Sequence, residues 1–316
     1  MPPSIPEPMP QPRLPVRAFV PRYWPLWTGL GVLRAIHTLP LPSQRRLGAT
    51  VGRFLLRLAR ERRRIAEINL RLAFPEHSDA WYRDLLQAHF QALGIALLET
   101  GLCWWSPAER LRPWIDVEGL EHLRTAHARG RGVILLGAHF TSMELGLRLL
   151  DVIRDFPAAI TPVYQIHKDP VMEAIITGHR ERHSAGSLPH DDPRAILRAL
   201  KRGHIVWYAP DQAYGGPGSA LVPFFGIPAA SHTATSRLAR ISRAPVVPFF
   251  MRRTPEGRYH LTLHAPWDDF PSDDPAADTR RYHQFIENEV RKAPEQYLWV
   301  HKRYKDRGPQ LPDVYA

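Results

Sequence analysis

The sequence predicts an α/β protein with a mixed, largely parallel central sheet flanked by helices, and three observations carry that expectation. From Arg131 onward, short apolar runs of strand length alternate with stretches of helical period, the pattern of a sheet with helices packed on its faces. The chain has 316 residues, 44% hydrophobic and 23% charged, enough apolar material for a large core and too much for a disordered chain. About 150 residues per domain would give two domains, but one α/β domain of about 250 residues behind an N-terminal extension fits the same arithmetic and is preferred.

Residues 1–22 are rich in proline and carry no apolar period, so they read as a flexible leader, with no cleavage signature of a secretory signal. Residues 23–75 form a second unit. Tyr23 to Leu41 is apolar and aromatic, a candidate membrane anchor of about the ~20 residues a span requires. Arg34 and His37 lie inside it and Pro25, Pro40 and Pro42 bracket it, so an interfacial or tilted anchor stands level with a clean crossing. Arg45 to Leu72 reads as one basic amphipathic helix, with Val51, Phe54, Leu58, Ile65, Ile68 and Leu72 on its apolar face. Such a helix suits an anionic membrane surface; an ordinary solvated face packed on the core is the competing reading.

Residues 76–316 make the third unit. Asp79 to Gly101 has helical period, with Leu85, Leu86, Phe90, Leu93, Leu97 and Leu98 inward. Strands are expected at Gly132–Gly137, Ala158–Tyr164, Ile205–Ala209 and Pro245–Met251, and helices at Thr141–Leu150, Pro193–Leu200 and Thr233–Ser242.

Lys and Arg number 42 against 31 Asp and Glu, a formal charge of +11, which calls for an acidic partner without naming it. Between Gln44 and Arg71 stand nine arginines and two acids, so this stretch holds +7 of the excess. It lacks the interleaved aromatics and the helix-turn-helix or zinc patterns of nucleic-acid binders, and nucleic acid is not expected. One cysteine, Cys103, excludes an internal disulfide framework and multi-cysteine metal sites.

The most informative passage is Gly132-Val-Ile-Leu-Leu-Gly-Ala-His139-Phe-Thr-Ser-Met-Glu144. A buried strand delivers His139 to its carboxyl end, the rim where α/β enzymes place ligands, and Thr141 and Ser142 are good caps for the next helix. From a strand-to-helix turn, His139 can fold back on the first helical turn. There Glu144 could hold one ring nitrogen protonated while the other accepts a proton. The duller reading is a capping box, Thr141-x-x-Glu144, beside an ordinary histidine. His179 and His183 have i, i+4 spacing but lack the surroundings of a zinc site, and no metal is expected.

A second passage, Val206-Trp-Tyr-Ala-Pro-Asp211, ends a strand in an acid and runs into the glycine-rich turn Gly215-Gly-Pro-Gly218. It matches neither nucleotide-binding pattern, but its backbone amides could approach an anion. Arg237, Arg240 and Arg243 follow, able to pair with phosphate or carboxylate.

Taken together, these passages resemble a known family. His139-x4-Glu144 is similar to the His-x4-Asp/Glu motif of glycerolipid-type acyltransferases, and Val206 to Gly216, Leu238-Ala239-Arg240 and Ala244-Pro-Val-Val-Pro-Phe are similar to their later motifs. The chain more closely resembles the lipid A biosynthesis late acyltransferases of the lauroyl type. That likeness runs from Pro21-Arg-Tyr-Trp24 through Leu98-Glu-Thr-Gly101 to Ala293-Pro-Glu-Gln-Tyr-Leu-Trp-Val-His-Lys-Arg303.

The resemblance implies a glycerol-3-phosphate acyltransferase-like fold on the cytoplasmic face of the inner membrane. It implies transfer of a lauroyl-like chain from acyl carrier protein to a hydroxyl of a lipid A precursor. His139 would be the general base and Glu144 its partner; Asp211, Gln165, Lys168, Arg180 and Arg240 would bind substrate. No cofactor is implied, since ester formation from a thioester requires neither redox chemistry nor an electron sink. One departure stands out. Where the family has Val-Tyr-Arg-Pro, this chain has Val163-Tyr164-Gln165-Ile166. Either Lys168 or Arg180 then substitutes for the missing arginine, or the acceptor is a different lipid such as a lysophospholipid or aminolipid.

Overall fold

The computed structural model describes residues 14–316, so the expected leader lies outside the described residues as far as residue 13. The helices are α1 (Trp24–Ile36), α2 (Leu41–Leu58), α3 (Arg60–Ala73), α4 (Asp79–Trp105), α5 (Ala108–Leu111), α6 (Leu120–Ala128), α7 (Met143–Ile153), α8 (Pro170–Arg180), α9 (Pro193–Lys201), α10 (Ala234–Ser242) and α11 (Pro275–Lys292). The strands are β1 (Ile115–Glu118), β2 (Val133–Leu136), β3 (Ile160–Tyr164), β4 (Leu188–Pro189), β5 (Ile205–Tyr208), β6 (Ser219–Phe224), β7 (Ile227–His232), β8 (Val246–Arg253) and β9 (Tyr259–Leu263). Seven of them form a sheet of order β1-β9-β8-β2-β5-β3-β4. All its pairings are parallel except β8 with β9, and β6 and β7 form a separate antiparallel hairpin. The sheet is mixed and largely parallel, as expected.

Successive side chains of a strand point to opposite faces, and the core divides accordingly. Ile134, Leu136, Val206 and Tyr208 join a cluster with residues of α3, α9, α10 and α11. Val133, Leu135, Ile205 and Trp207 join another with residues of α6, α7 and α8. Helix α4 supplies both clusters, Leu85 to Phe90 to the first and Leu102 to Trp104 to the second.

The N-terminal region differs from its sequence reading in three ways. Arg45–Leu72 is not one helix, because the chain leaves helical geometry at Ala59 (φ −85°, ψ 61°) and restarts as α3. Phe54 and Leu58, expected inward, are about 60% exposed (59% and 62%). The face that α2 buries is instead the line Leu41, Gln44, Gly48 and Gly52. A Cβ on Gly52 would lie 2.1 Å from the Phe90 carbonyl oxygen, and one on Gly94 would lie 2.2 Å from the Gly48 carbonyl oxygen. The two helix backbones therefore touch, and Phe54 and Leu58 are left facing outward while Leu55 and Leu56 pack against the core. Finally, α1 has 13 residues, about 20 Å at 1.5 Å per residue. Among the described residues no helix is long and apolar enough to cross a membrane. Leu97, also read as inward, is exposed.

Candidate active site

Strand β2 pairs with β5 in parallel, Leu136 opposite Tyr208. Three residues beyond each of these positions stand His139 and Asp211, delivered side by side by the register of two neighbouring strands. The imidazole Nδ1 of His139 lies 2.6 Å from Asp211 Oδ1, and the His139 backbone N–H donates to Asp211 Oδ2 at 3.0 Å. The Tyr297 hydroxyl donates to the same Oδ2 at 3.1 Å. Asp211 is fully buried, while the His139 side chain keeps 20% of its surface. Its Nε2 has no hydrogen-bond partner among the described residues.

These contacts fix the protonation pattern. Burial alone would push Asp211 upward, but the charge and hydrogen bonds of His139, with the Arg303 guanidinium nearby, hold the carboxyl below its ordinary range. Burial disfavours the His139 cation, yet the charge and hydrogen bond of Asp211 outweigh it, and the imidazole is held above its ordinary value. A carboxylate on Nδ1 keeps the proton there and leaves the Nε2 lone pair free.

The turn that carries His139 is pinned from behind. Leu298 N–H donates to the His139 carbonyl at 2.9 Å, and Thr141 N–H donates to the Gln296 carbonyl at 2.7 Å. Between them Phe140 and Tyr297 form an antiparallel bridge. Beneath lies a buried ion pair, Arg253 to Glu99 at 2.8 Å. Arg253 also donates to Thr141 Oγ1 at 2.9 Å and to Ser142 Oγ, Ser142 donates to Glu99, and Tyr259 donates to Glu99 Oε1 at 2.8 Å. The hydroxyls of Thr141 and Ser142 are thus engaged by this network, and Ser142, at the N-cap of α7, makes no side-chain cap bond. The capping box does not form.

Glu144 is not where the sequence reading put it. Its carboxylate is gripped by Arg180, Nε to Oε1 and Nη2 to Oε2 both at 2.6 Å, and Asp211 occupies the place on His139 that Glu144 was expected to fill. The reason is positional. Glu144 lies in the first turn of α7 facing the end of α8, where a planar guanidinium matches both its oxygens. Arg180 is therefore committed to Glu144, with its Cζ 5.4 Å from the Tyr164 ring centroid. Asp211, expected to bind substrate, is buried against His139.

Gln165 and Lys168 stand exposed on the loop after β3, at the same end of the sheet as His139. Tyr23 and Arg22 reach that loop at Asp169, 3.0 and 3.5 Å away. Arg240 is not brought to the site. It bonds Asp273 at 3.1 Å near the start of β8, and the register of Ile134 with Val246 puts that at the opposite end of the strands from His139. His179 is stacked on Trp104, ring centroids 4.5 Å apart. Among the described residues no cluster of three or more His, Cys, Asp or Glu side chains could hold a metal. Tyr297, Arg253 and Glu99 were missed by the sequence reading. The only signal for them was their presence in segments that carry the family likeness or lie beside one.

The pair at the mouth of a parallel sheet, joined by a positioned carboxylate and open at one imidazole nitrogen, has the form of a general-base centre. Residues 15–306 match the model of the bacterial lipid A biosynthesis acyltransferases. The lipid A biosynthesis lauroyltransferase of Escherichia coli (strain K12) is 38% identical over 297 residues, covering 93% of this chain and 96% of the relative. The palmitoleoyltransferase of the same organism is also 38% identical, covering 93% and 95%; its lipid A biosynthesis myristoyltransferase is 29% identical, covering 92% and 89%. This chain is thus an acyltransferase, and it belongs to the bacterial lipid A biosynthesis acyltransferase family.

Proposed function

We propose that this protein moves a fatty acyl chain from the thioester of acyl carrier protein to a hydroxyl of a lipid A precursor, with His139 as general base. The observation that carries the mechanism is the His139–Asp211 pair with Nε2 left open. A hydroxyl is a poor nucleophile near neutral pH, and a positioned base is worth roughly 10² to 10⁴ in rate. Nε2 takes the hydroxyl proton as the oxygen attacks the thioester carbonyl. The C–S bond then breaks, the ester forms, and the proton passes from the imidazolium to the departing thiolate. Asp211 is the positioning residue, and no covalent enzyme intermediate is needed.

The reading includes a seat on the cytoplasmic face of the inner membrane. Its support is the exposure of Phe19, Trp24 and Val32 in and before α1 and of Phe54 and Leu58 on α2, with Arg53 and Arg57 also exposed on α2. Large apolar side chains flanked by arginines suit the interface of an anionic leaflet. The test is a purified His139→Ala protein incubated with acyl carrier protein thioester and a lipid A precursor, the product read by mass spectrometry. Loss of transfer with membrane binding retained supports the assignment; an unchanged rate rejects it.

A further inference from the structure

Behind the His139 turn lies a cleft of ≈ 790 Å³ between α2, α4 and the β8–β9 hairpin, within the range of about 300–1,000 Å³ typical of ligand sites. Arg253 and Gln296 line it and also hold Thr141 on the other side, so an occupant would sit behind the turn and not on His139 Nε2.

Its charged groups are unequally satisfied. Arg253 and Lys292 have their own carboxylates, Glu99 at 2.8 Å and Glu289 at 2.7 Å. Arg45 has none among the described residues. Its Nε and Nη2 are enclosed by protein and lack hydrogen-bond partners, and its Cζ lies 4.8 Å from the centroid of the Tyr259 ring. Those two nitrogens are closed to a ligand as they are to water, so an occupant would meet this arginine through Nη1. The hairpin is shaped around this arginine. Gly257 sits at φ +84°, and a Cβ there would fall 2.4 Å from Arg45 Nη1.

Arg252 lines the same cleft, as do Glu256 and Glu295. Glu256 is exposed on the hairpin, and Glu295 accepts from the Gln296 amide at 2.7 Å; among the described residues neither carboxylate forms an ion pair with Arg45 or Arg252. Two guanidinium groups from separate walls offer more donors than one carboxylate can fill. A phosphate with several terminal oxygens can fill them. The wall formed by Ala88, Ala92 and Ile95 suits an alkyl chain beside it.

We propose that this cleft is a phosphate-binding site separate from the reacting centre, with Arg45 as its deep anchor and Arg252 at its rim. The phosphate comes from a lipid headgroup or from the free anion, and titration calorimetry on the full chain at fixed ionic strength separates these. The probes are inorganic phosphate, dihexanoyl phosphatidic acid and dihexanoyl phosphatidylcholine. Saturable binding of phosphatidic acid well above that of inorganic phosphate identifies a lipid headgroup; equal binding of the two identifies the free anion. Arg45→Gln should weaken either roughly tenfold or more, the effect of losing a charged hydrogen bond. Arg252→Gln should weaken it by a smaller factor, and it keeps the test open if the Arg45 variant fails to fold. Arg194→Gln, exposed on α9, should change nothing.

His139→Ala should bind the probe as the parent does, so the site and the catalytic reading fail separately. Absence of saturable binding by any probe would overturn the proposal. So would binding untouched by Arg45→Gln and Arg252→Gln, or phosphatidylcholine binding as tight as phosphatidic acid.

Discussion

His139 and Asp211 are joined twice, once through the imidazole Nδ1 at 2.6 Å and once through the His139 backbone N–H at 3.0 Å. The carboxylate therefore fixes the ring's tautomer and the position of the turn that carries it. Removing either residue tests a different part of that arrangement.

His139→Ala should lower acyl transfer by roughly 10² to 10⁴ and also lower the unfolding temperature, since the fully buried Asp211 loses its imidazole partner. Initial rates with a thioester donor measure this. A loss of less than tenfold would mean that another group takes the proton.

Asp211→Asn should lower the rate and also move its pH dependence. The base works as neutral imidazole, so activity should rise with pH through a limb above the ordinary value of 6.5, because His139 is held above it. Without the carboxylate, burial alone acts on the ring and the limb should fall below its parent position. By linkage, the pair's stabilisation is fully present below 6.5 and is lost as pH rises through the raised value of the folded state. A limb that stays in place in Asp211→Asn counts against this carboxylate as the cause.

Glu144 and Arg180 should behave as a structural pair. Unfolding of Glu144→Gln, Arg180→Gln and the double variant should give a coupling energy of about 1–3 kcal/mol. Glu144→Gln should leave the pH limb where it is, unlike Asp211→Asn. A limb shifted equally by both substitutions would place Glu144 on the imidazole after all.

Gly52→Ala and Gly29→Ala should have opposite signs. Alanine in a helix interior ordinarily stabilises by about 0.5–1 kcal/mol, and Gly29 has nothing within 4 Å of a new Cβ. At Gly52 the added atom meets the Phe90 backbone at 2.1 Å, and such overpacking costs about 1–3 kcal/mol or more. Thermal unfolding decides it; stabilisation at both positions would deny the α2–α4 contact.

Phe54→Ser with Leu58→Ser should reduce flotation with anionic vesicles without changing the unfolding temperature, because both side chains are exposed. Equal flotation of parent and variant would remove this face from any membrane seat.

The alternating half of the chain was legible because buried parallel strands are short apolar runs, and Gly132–Gly137 and Ile205–Ala209 resemble little else. His139 was legible for the same reason, sitting just past such a run. Its partner was not. The pairing with Asp211 depends on which strands are neighbours and in what register, and sequence spacing instead favoured Glu144, only five residues away. The face of α2 was misread because hydrophobic periodicity ignores glycine, whereas Gly48, Gly52 and Gly94 decide how closely two helices approach. Arg253 and Glu99 are 154 residues apart, and no local pattern announces a buried ion pair made at that distance.

The bridge between Phe140 and Tyr297 has a consequence for how the protein is made. Gln296, Tyr297 and Leu298 leave the ribosome after the nine strands of the described residues, so a nascent chain with its sheet complete still lacks the clasp on the histidine loop and the phenol on the buried aspartate. Competence to react arrives only once that segment has been made, after the helices that precede the sheet have emerged.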